Sequence, residues 1–471
     1  MTDLPAPFIE RTRRLLGDDY PRFAEALESE SPTSIRLNPS KSTPTGTIGD
    51  PVLWARHGFY LSSRPTFTFD PRLHAGAYYV QEAASMFLNR VIRQYVHEPV
   101  RYLDLCAAPG GKSTDAVASL PVGSLIVSNE VIPNRAHILA ENIVKWGSPY
   151  CIVTRNEASA FGALEEYFDI IAADVPCSGE GMFRKDPAAI TEWSAANVAH
   201  CAERQRTILT DVWNALRPGG LFIYSTCTYN TEENEEMIGF LRKKFGAIPL
   251  TVDIAPAWNI TPALVGDLPA YRFMPHRTRG EGLFMAILRK PGEPDETRRE
   301  ALLSTAEKTE KRNKKNKTPR IAIPDEWRLL VANPDRYTFI SDEEKIIAIP
   351  AEYTTDYKLL DRHLDLLHTG ITVATLKGKD YVPHISLALS TAFDTNQVVH
   401  YEASLDTALA YLRLFLPTDL PRGYILVTYE GFPLGWAKHL GNRTNNLYPQ
   451  EWRIRSGYTP DTPFELNIAP K

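Results

Sequence analysis

Between residues 101 and 290 the apolar positions follow two periods in turn. Short apolar runs, RYLDLC over 101–106, SLIVSNE over 124–130, 150–154, FDIIAADV over 168–175 and 220–226, are bounded by glycine, proline and polar residues. Their length and continuous apolarity predict strands of a parallel sheet covered on both faces. Between them lie segments whose apolar residues recur three and four positions apart, predicting helices from the CAAPGGKST turn to about 120, over 134–146, about 197–216 and 232–244. Strand and helix in alternation describe an α/β doubly wound sheet. EGLFMAILRK supplies its last strand.

The flanks read differently. Helical spacing at 8–16 and 21–27 precedes a stretch over 33–70 that prolines and glycines break into short strands and loops. YYVQEAASMFLNRVIRQYV predicts one amphipathic helix over 78–96, with Ala84, Leu88, Val91 and Tyr95 near one face, and with Gln81, Glu82 and Ser85 either solvated or capping residues or the border of a ligand. After the last strand, EKTEKRNKKNKTPR carries seven basic residues and almost nothing to bury, as expected of a linker or exposed cationic arm able to hold phosphates. Short strand-like runs follow. A helix over 405–415, the strand GYILVTYEG and a tail rich in glycine turns, aromatics and basic residues then predict a compact β-rich barrel. The expected division is 1–99, a sheet domain over 100–292, a linker over 293–320, a small mixed domain over 321–391 and a β-rich domain over 392–471.

Length bounds this picture, because 471 residues exceed one core. No apolar run reaches membrane-spanning length and the N-terminal residues lack the apolar region of a secretion signal, so a cytoplasmic protein without a membrane partner is expected. Five cysteines with no CxxC pair predict reduced thiols and no metal site. A net charge of −5 does not advertise nucleic acid, although a local basic surface would serve. The loop with Arg272, His276, Arg277 and Arg279 is either such a phosphate contact or a solvated turn.

Chemistry gathers at strand ends, where open α/β sheets bind ligands. The apolar pattern of FDIIAADV stops at Asp174 and gives way to Pro176, Cys177, Ser178, Gly179 and Gly181, and the 220–226 strand delivers Cys227 into a similar loop. Two thiols are thus aimed at one crevice. Gly110 and Gly111 let the backbone approach a nucleotide-like ligand. Glu130, about twenty residues on, stands where such sheets hold ribose hydroxyls, or else caps the helix near Pro133. Cys151 and Cys201 read as packing residues. A redox pair would be spaced more closely and lack the neighbouring carboxylate. A thiolate beside a carboxylic acid suits a pyrimidine: sulfur adds at carbon 6, a proton is shared at nitrogen 3, and carbon 5 becomes nucleophilic toward a methyl sulfonium. The base must be unpaired or flipped.

The runs DLCAAPGGKS, DVPCSGEGMFRKDP and STCTYNTEENE, in this order and spacing, resemble the RNA cytosine-5 methyltransferases of the Nol/Nop/Sun family. SIRLNPSK, GAYYVQEAASM and GYILVTYEGFPLGWAKHLGN extend the likeness to its bacterial RsmF type, leaving only the linker and about 321–391 weakly matched. The resemblance implies a Rossmann-like class I methyltransferase core with an antiparallel last strand, and a C-terminal PUA-like RNA-binding domain. It also implies S-adenosylmethionine wrapped by Cys106, Ala107, Ala108, Pro109, Gly110, Gly111 and Lys112, with Glu130 on the ribose and Glu157 near the adenine. The family often has Asp at those last two places. Arg135 and Lys185 match positions near cofactor or substrate, and Asp174 touches both cofactor and base. Cys227 is then the nucleophile and Cys177 assists release, while Trp436, Lys438 and Arg443 are candidate RNA contacts. The implied partner is ribosomal RNA or the small ribosomal subunit, engaged by a monomer. A methyltransferase of transfer RNA or several RNAs, and a non-catalytic RNA-binding assembly factor, are the alternatives. Asp174, Cys177 and Cys227 together speak against the last.

Overall fold

The computed structural model describes residues 4–313, 323–341, 344–416, 420–459 and 464–471, with backbone alone at 306–313. Nine strands form the central sheet: β1 (Arg101–Asp104), β2 (Leu125–Asn129), β3 (Cys151–Thr154), β4 (Phe168–Asp174), β5 (Leu216–Thr226), β6 (Ile248–Leu250), β7 (Ala270–Phe273), β8 (Leu283–Arg289) and β9 (Leu366–Thr369). Their order is β6-β8-β5-β4-β1-β2-β3-β9, with β7 also on β8. β1 to β5 are mutually parallel, and β8 lies antiparallel to β5. The chain runs outward from β1 through β2 and β3, then returns to place β4 on the other side of β1. That reversal opens a crevice above the carboxyl ends of β1 and β4.

Both faces are buried, which is why the strands read as unbroken apolar runs. Tyr102, Ile126, Val153, Ile170, Ala172 and Ile223 pack on one face with Phe87, Leu88, Val91 and Ile92 from the helix Phe87–Tyr95 and with Leu139 and Ile143 from Pro133–Trp146. Leu103, Val127, Ile152, Ile171, Phe222 and Tyr224, one position out of phase, pack on the other with Leu209 and Val212 from Ala195–Val212 and with Ile238 and Leu241 from Glu235–Phe245.

The N-terminal segment is fastened to this core by Arg36, which is fully buried. Its guanidinium donates to Gln81 Oε1 at 2.8 Å and Thr114 Oγ1 at 2.6 Å, lies 3.6 Å from Asp115, and covers the Trp146 ring at 4.5 Å. The chain end returns to the same segment, where Ile468–Pro470 pairs antiparallel with Ser42–Pro44.

Three expectations change. The segment read as one helix over 78–96 is a strand, Tyr78–Val80, then a 3-10 turn, Ala84–Met86, and the helix Phe87–Tyr95. Pairing with Ser34–Leu37 overrides the helical spacing at Tyr78 and Tyr79. The hydrophilic stretch read as linker is helical from Glu296 to Asn313, anchored by buried Arg299 on Asp169 at 2.9 Å and by Leu302 and Leu303 against the core. The cationic residues from 314 to 320 lie outside the described residues. The 321–391 region contributes β9 to the central sheet, antiparallel to β3. Among the described residues no helix is long and apolar enough to cross a membrane, and no group of His, Cys, Asp and Glu could hold a metal ion.

Candidate active site

β4 ends on Asp174 and β5 on Thr226, so their adjacent parallel register carries the two following loops out on the same side. The result is close approach: Cys177 Sγ and Cys227 Sγ are 3.3 Å apart. Asp174 Oδ2 accepts from Lys112 Nζ at 2.8 Å and Oδ1 accepts from Ser225 Oγ at 2.7 Å, which fixes both carboxylate oxygens. Burial works against the Lys112 ammonium, but the charge of Asp174 and its hydrogen bond outweigh that and raise the pKa. The Cys177 thiol is pushed well up by its hydrogen bond with Cys227 and by burial, so at neutral pH it keeps its proton.

The loops are also joined to each other. Gly181 N donates to the Cys227 carbonyl at 2.8 Å, and a Cβ at Gly181 would come within 2.8 Å of that oxygen. Glu180, buried, accepts from Tyr229 N at 2.8 Å, Asn230 N at 3.0 Å and Trp193 Nε1 at 3.0 Å. Glu233, also buried, accepts from Ser178 N at 3.0 Å, Gln205 Nε2 at 2.8 Å and Asn230 Nδ2 at 2.8 Å. The helices near the N-terminus cover this region, with Phe8 against Phe183 and Trp193 and Phe23 against Tyr229.

A cleft of about 580 Å³ opens beside the thiols, lined by Cys106, Ala108, Glu130, Arg135, Glu157, Asp174, Cys177 and Cys227 among others. Its apolar walls include Ile132, Val175 and Ile208. Glu130 Oε1 accepts from Ile132 N at 3.0 Å. Glu130 therefore meets the backbone ahead of the helix at Pro133 while also lining the cleft. Its Oε2 lies 3.3 Å from Arg135 Nη2, and Arg135 also donates to the Ala108 carbonyl at 3.0 Å. Gly110 holds the turn with φ +113°, a conformation that favours glycine. Ala107, Pro109, Gly110, Gly111 and Lys112 stand behind the lining, and Lys112 reaches the site through Asp174.

Residues 94–289 match the family described as 16S rRNA methyltransferase RsmB/F, residues 4–83 the N-terminal domain of 16S rRNA methyltransferase RsmF, and residues 398–454 the RsmF PUA domain. The ribosomal RNA small subunit methyltransferase F of Serratia proteamaculans is 30% identical, over 96% of this chain and 97% of its own. The chain belongs to the ribosomal RNA small subunit methyltransferase F family. Among solved structures, a methyltransferase homolog protein from Pyrococcus horikoshii is 26% identical with a TM-score of 0.52, over 61% of this chain and 96% of its own. NSun6 from the same organism, solved with SFG, is 19% identical with a TM-score of 0.52, over 62% of this chain and all of its own, and shows the fold alone. The fold is the Rossmann-like methyltransferase core expected, with an RsmF N-terminal domain before it and the RsmF PUA domain at the C-terminal end.

Three expected contacts do not lie on the surface. The His276 side chain is 2% exposed and lies 3.8 Å from Asp19. Arg272 is buried, with its guanidinium on Glu235 and on the Tyr229 carbonyl, so it supports the Cys227 loop from inside. Trp436 is 1% exposed and donates to the His384 carbonyl, because its ring fills the core of the C-terminal half. Arg277, Arg279 and Arg443 are exposed. Lys185 lies 3.6 Å from Glu281, and Lys438 covers the Tyr424 ring at 4.5 Å. Sequence reasoning missed Glu180, Glu233 and Gln205. The acidic run TEENEE reads as a solvated helix start, and only the neighbouring loop shows that Glu233 turns inward.

Proposed function

We propose that the protein methylates carbon 5 of a cytosine in small-subunit ribosomal RNA, using S-adenosylmethionine and a covalent adduct on Cys227. The observation that carries this reading is the pair of sulfurs 3.3 Å apart that lines the cleft together with Asp174, itself paired with Lys112. A binding protein needs none of these groups together, and a redox pair needs no carboxylate. The matched family is described as a 16S rRNA methyltransferase and the relatives are named as methyltransferases of small-subunit ribosomal RNA, which supports that RNA as the target.

The cleft suits S-adenosylmethionine. Its volume accommodates a nucleoside, and Glu130 lines it with a buried Oε2 that has no hydrogen bond beside its 3.3 Å ion pair with Arg135. Glu130 and Glu157 would take the ribose and adenine ends. When bound, the cofactor supplies an electrophilic methyl group. The chain's own residues do the rest. Cys227 adds to carbon 6 of a flipped-out cytosine, and Asp174, with both oxygens fixed by Lys112 and Ser225, is placed to bridge the proton at nitrogen 3. Once carbon 5 carries the methyl, its proton passes to a solvent water, the electron pair of that carbon–hydrogen bond re-forms the carbon 5–carbon 6 double bond, and the carbon 6–sulfur pair leaves on the Cys227 sulfur. Cys177, protonated and in contact, donates to the departing Cys227 thiolate.

Bisulfite sequencing of ribosomal and transfer RNA from cells with and without the protein tests the substrate. One cytosine in small-subunit ribosomal RNA, protected only when the protein is present, is expected. A protein-dependent cytosine found in transfer RNA instead overturns the ribosomal assignment, and no protein-dependent cytosine in either overturns the cytosine-5 chemistry.

A further inference from the structure

Cys177 is held from both sides by one buried cluster. Gln205, on the helix Ala195–Val212 and fully buried, donates to the Pro176 carbonyl at 3.0 Å, immediately before the cysteine. Ser178, immediately after it, donates its backbone N–H and its hydroxyl to Glu233. The same carboxylate accepts from Gln205 and from Asn230, three residues beyond Cys227, and the Ser178 and Thr228 hydroxyls meet at 3.0 Å. Tyr224, from β5, closes the cluster by bridging Gln205 Oε1 at 3.1 Å and the Glu233 carbonyl at 2.6 Å. Every group on the Glu233 carboxylate is a donor, and among the described residues no Lys, Arg or His forms an ion pair with it. A buried anion satisfied by neutral donors alone is a costly arrangement unless its position serves the site.

We propose that Glu233 is a positioning residue for the thiol pair: its carboxylate ties the loop of Cys177 to the loop of Cys227 and sets the 3.3 Å approach of the two sulfurs. The inference rests on the reading of the two cysteines as a working pair. Glu233 touches neither RNA nor cofactor in this account and acts through Cys177. Its negative charge also adds to the groups that hold the Cys177 proton in place, after the Cys227 hydrogen bond and burial.

Glu233→Gln is the sharpest variant, because the amide nitrogen must face one of the donors that the carboxylate accepts. Diamide removes the two thiol hydrogens and is itself reduced to the hydrazine, leaving a Cys177–Cys227 disulfide, so its rate reads the sulfur approach without RNA or cofactor. The expected result is a rate at least about tenfold below wild type, with S-adenosylmethionine affinity by calorimetry within about twofold as the control for an intact fold. The pH midpoint for alkylation of Cys177 by iodoacetamide falls, since the neighbouring anion is gone. Asn230→Ala cuts the same tie from the Cys227 side, and carries the test if Glu233→Gln fails to fold. Wild-type behaviour in either measurement overturns the proposal. A slowed disulfide together with a Cys177→Ser protein that forms no RNA adduct would leave the positioning role standing and remove the catalytic reading instead.

Discussion

Cys227→Ser lowers the methylation rate by at least about a thousandfold, because a hydroxyl at neutral pH is a far weaker nucleophile than a thiolate and the addition at carbon 6 is lost. The loss falls on the chemical step. Glu130 and Glu157, which would hold the cofactor in the proposed arrangement, are unaltered, so S-adenosylmethionine affinity measured by calorimetry changes by less than about threefold. Serine is close to isosteric with cysteine, and the loop keeps its backbone tie from Gly181 N to the residue 227 carbonyl. A variant that retained more than about a tenth of the wild-type rate would remove Cys227 from the mechanism.

Arg36→Met destabilises the fold by about 3–5 kcal/mol at pH 8, read by urea unfolding. The methionine replaces most of the volume over Trp146 but leaves Asp115 buried without its cation and Gln81 and Thr114 without their donor. The pH dependence has a defined sign. Burial raises Asp115 to about 6, against the partial compensation of Arg36, so the native state holds this proton more tightly than the unfolded chain. The cost of ionising Asp115 in the native state is absent below the unfolded pKa and grows as pH rises through about 6. Without Arg36 the folded pKa climbs further. The deficit of the variant is therefore smaller near pH 5 than at pH 8, and equal deficits at both would show that the pair is not what holds the N-terminal segment to the core.

The core was legible because its physics is local. The strands from β1 to β5 carry apolar runs set by burial on both faces, and the ends of two of them, Asn129 and Asp174, line the crevice. What the sequence hid depends on partners distant along the chain. Leu366–Thr369 has no feature that separates an edge strand of the central sheet from a strand of its own small sheet, and only pairing with Cys151–Thr154 decides it. Arg299 looks like one cation among many until Asp169 is found beneath it. Arg272 and Trp436 look like exposed contacts for the same reason: their side-chain types suit RNA, while their burial is fixed by Glu235 in one case and by the His384 loop in the other. At the site, strand-end cysteines are visible as a pattern, but their 3.3 Å approach and the Glu233 tie between their loops are properties of two strands brought side by side.

If the two cysteines act at opposite ends of one covalent cycle, denaturing electrophoresis of Cys177→Ser protein incubated with substrate RNA and S-adenosylmethionine shows a trapped adduct. Cys227 still adds to the base in this variant, but the departing sulfur has lost its thiol donor, so a protein–RNA species that survives denaturation accumulates, and it disappears in the Cys177→Ser, Cys227→Ser double variant. An adduct formed by Cys227→Ser and not by Cys177→Ser would reverse the two roles, and no adduct from either would contradict the covalent mechanism.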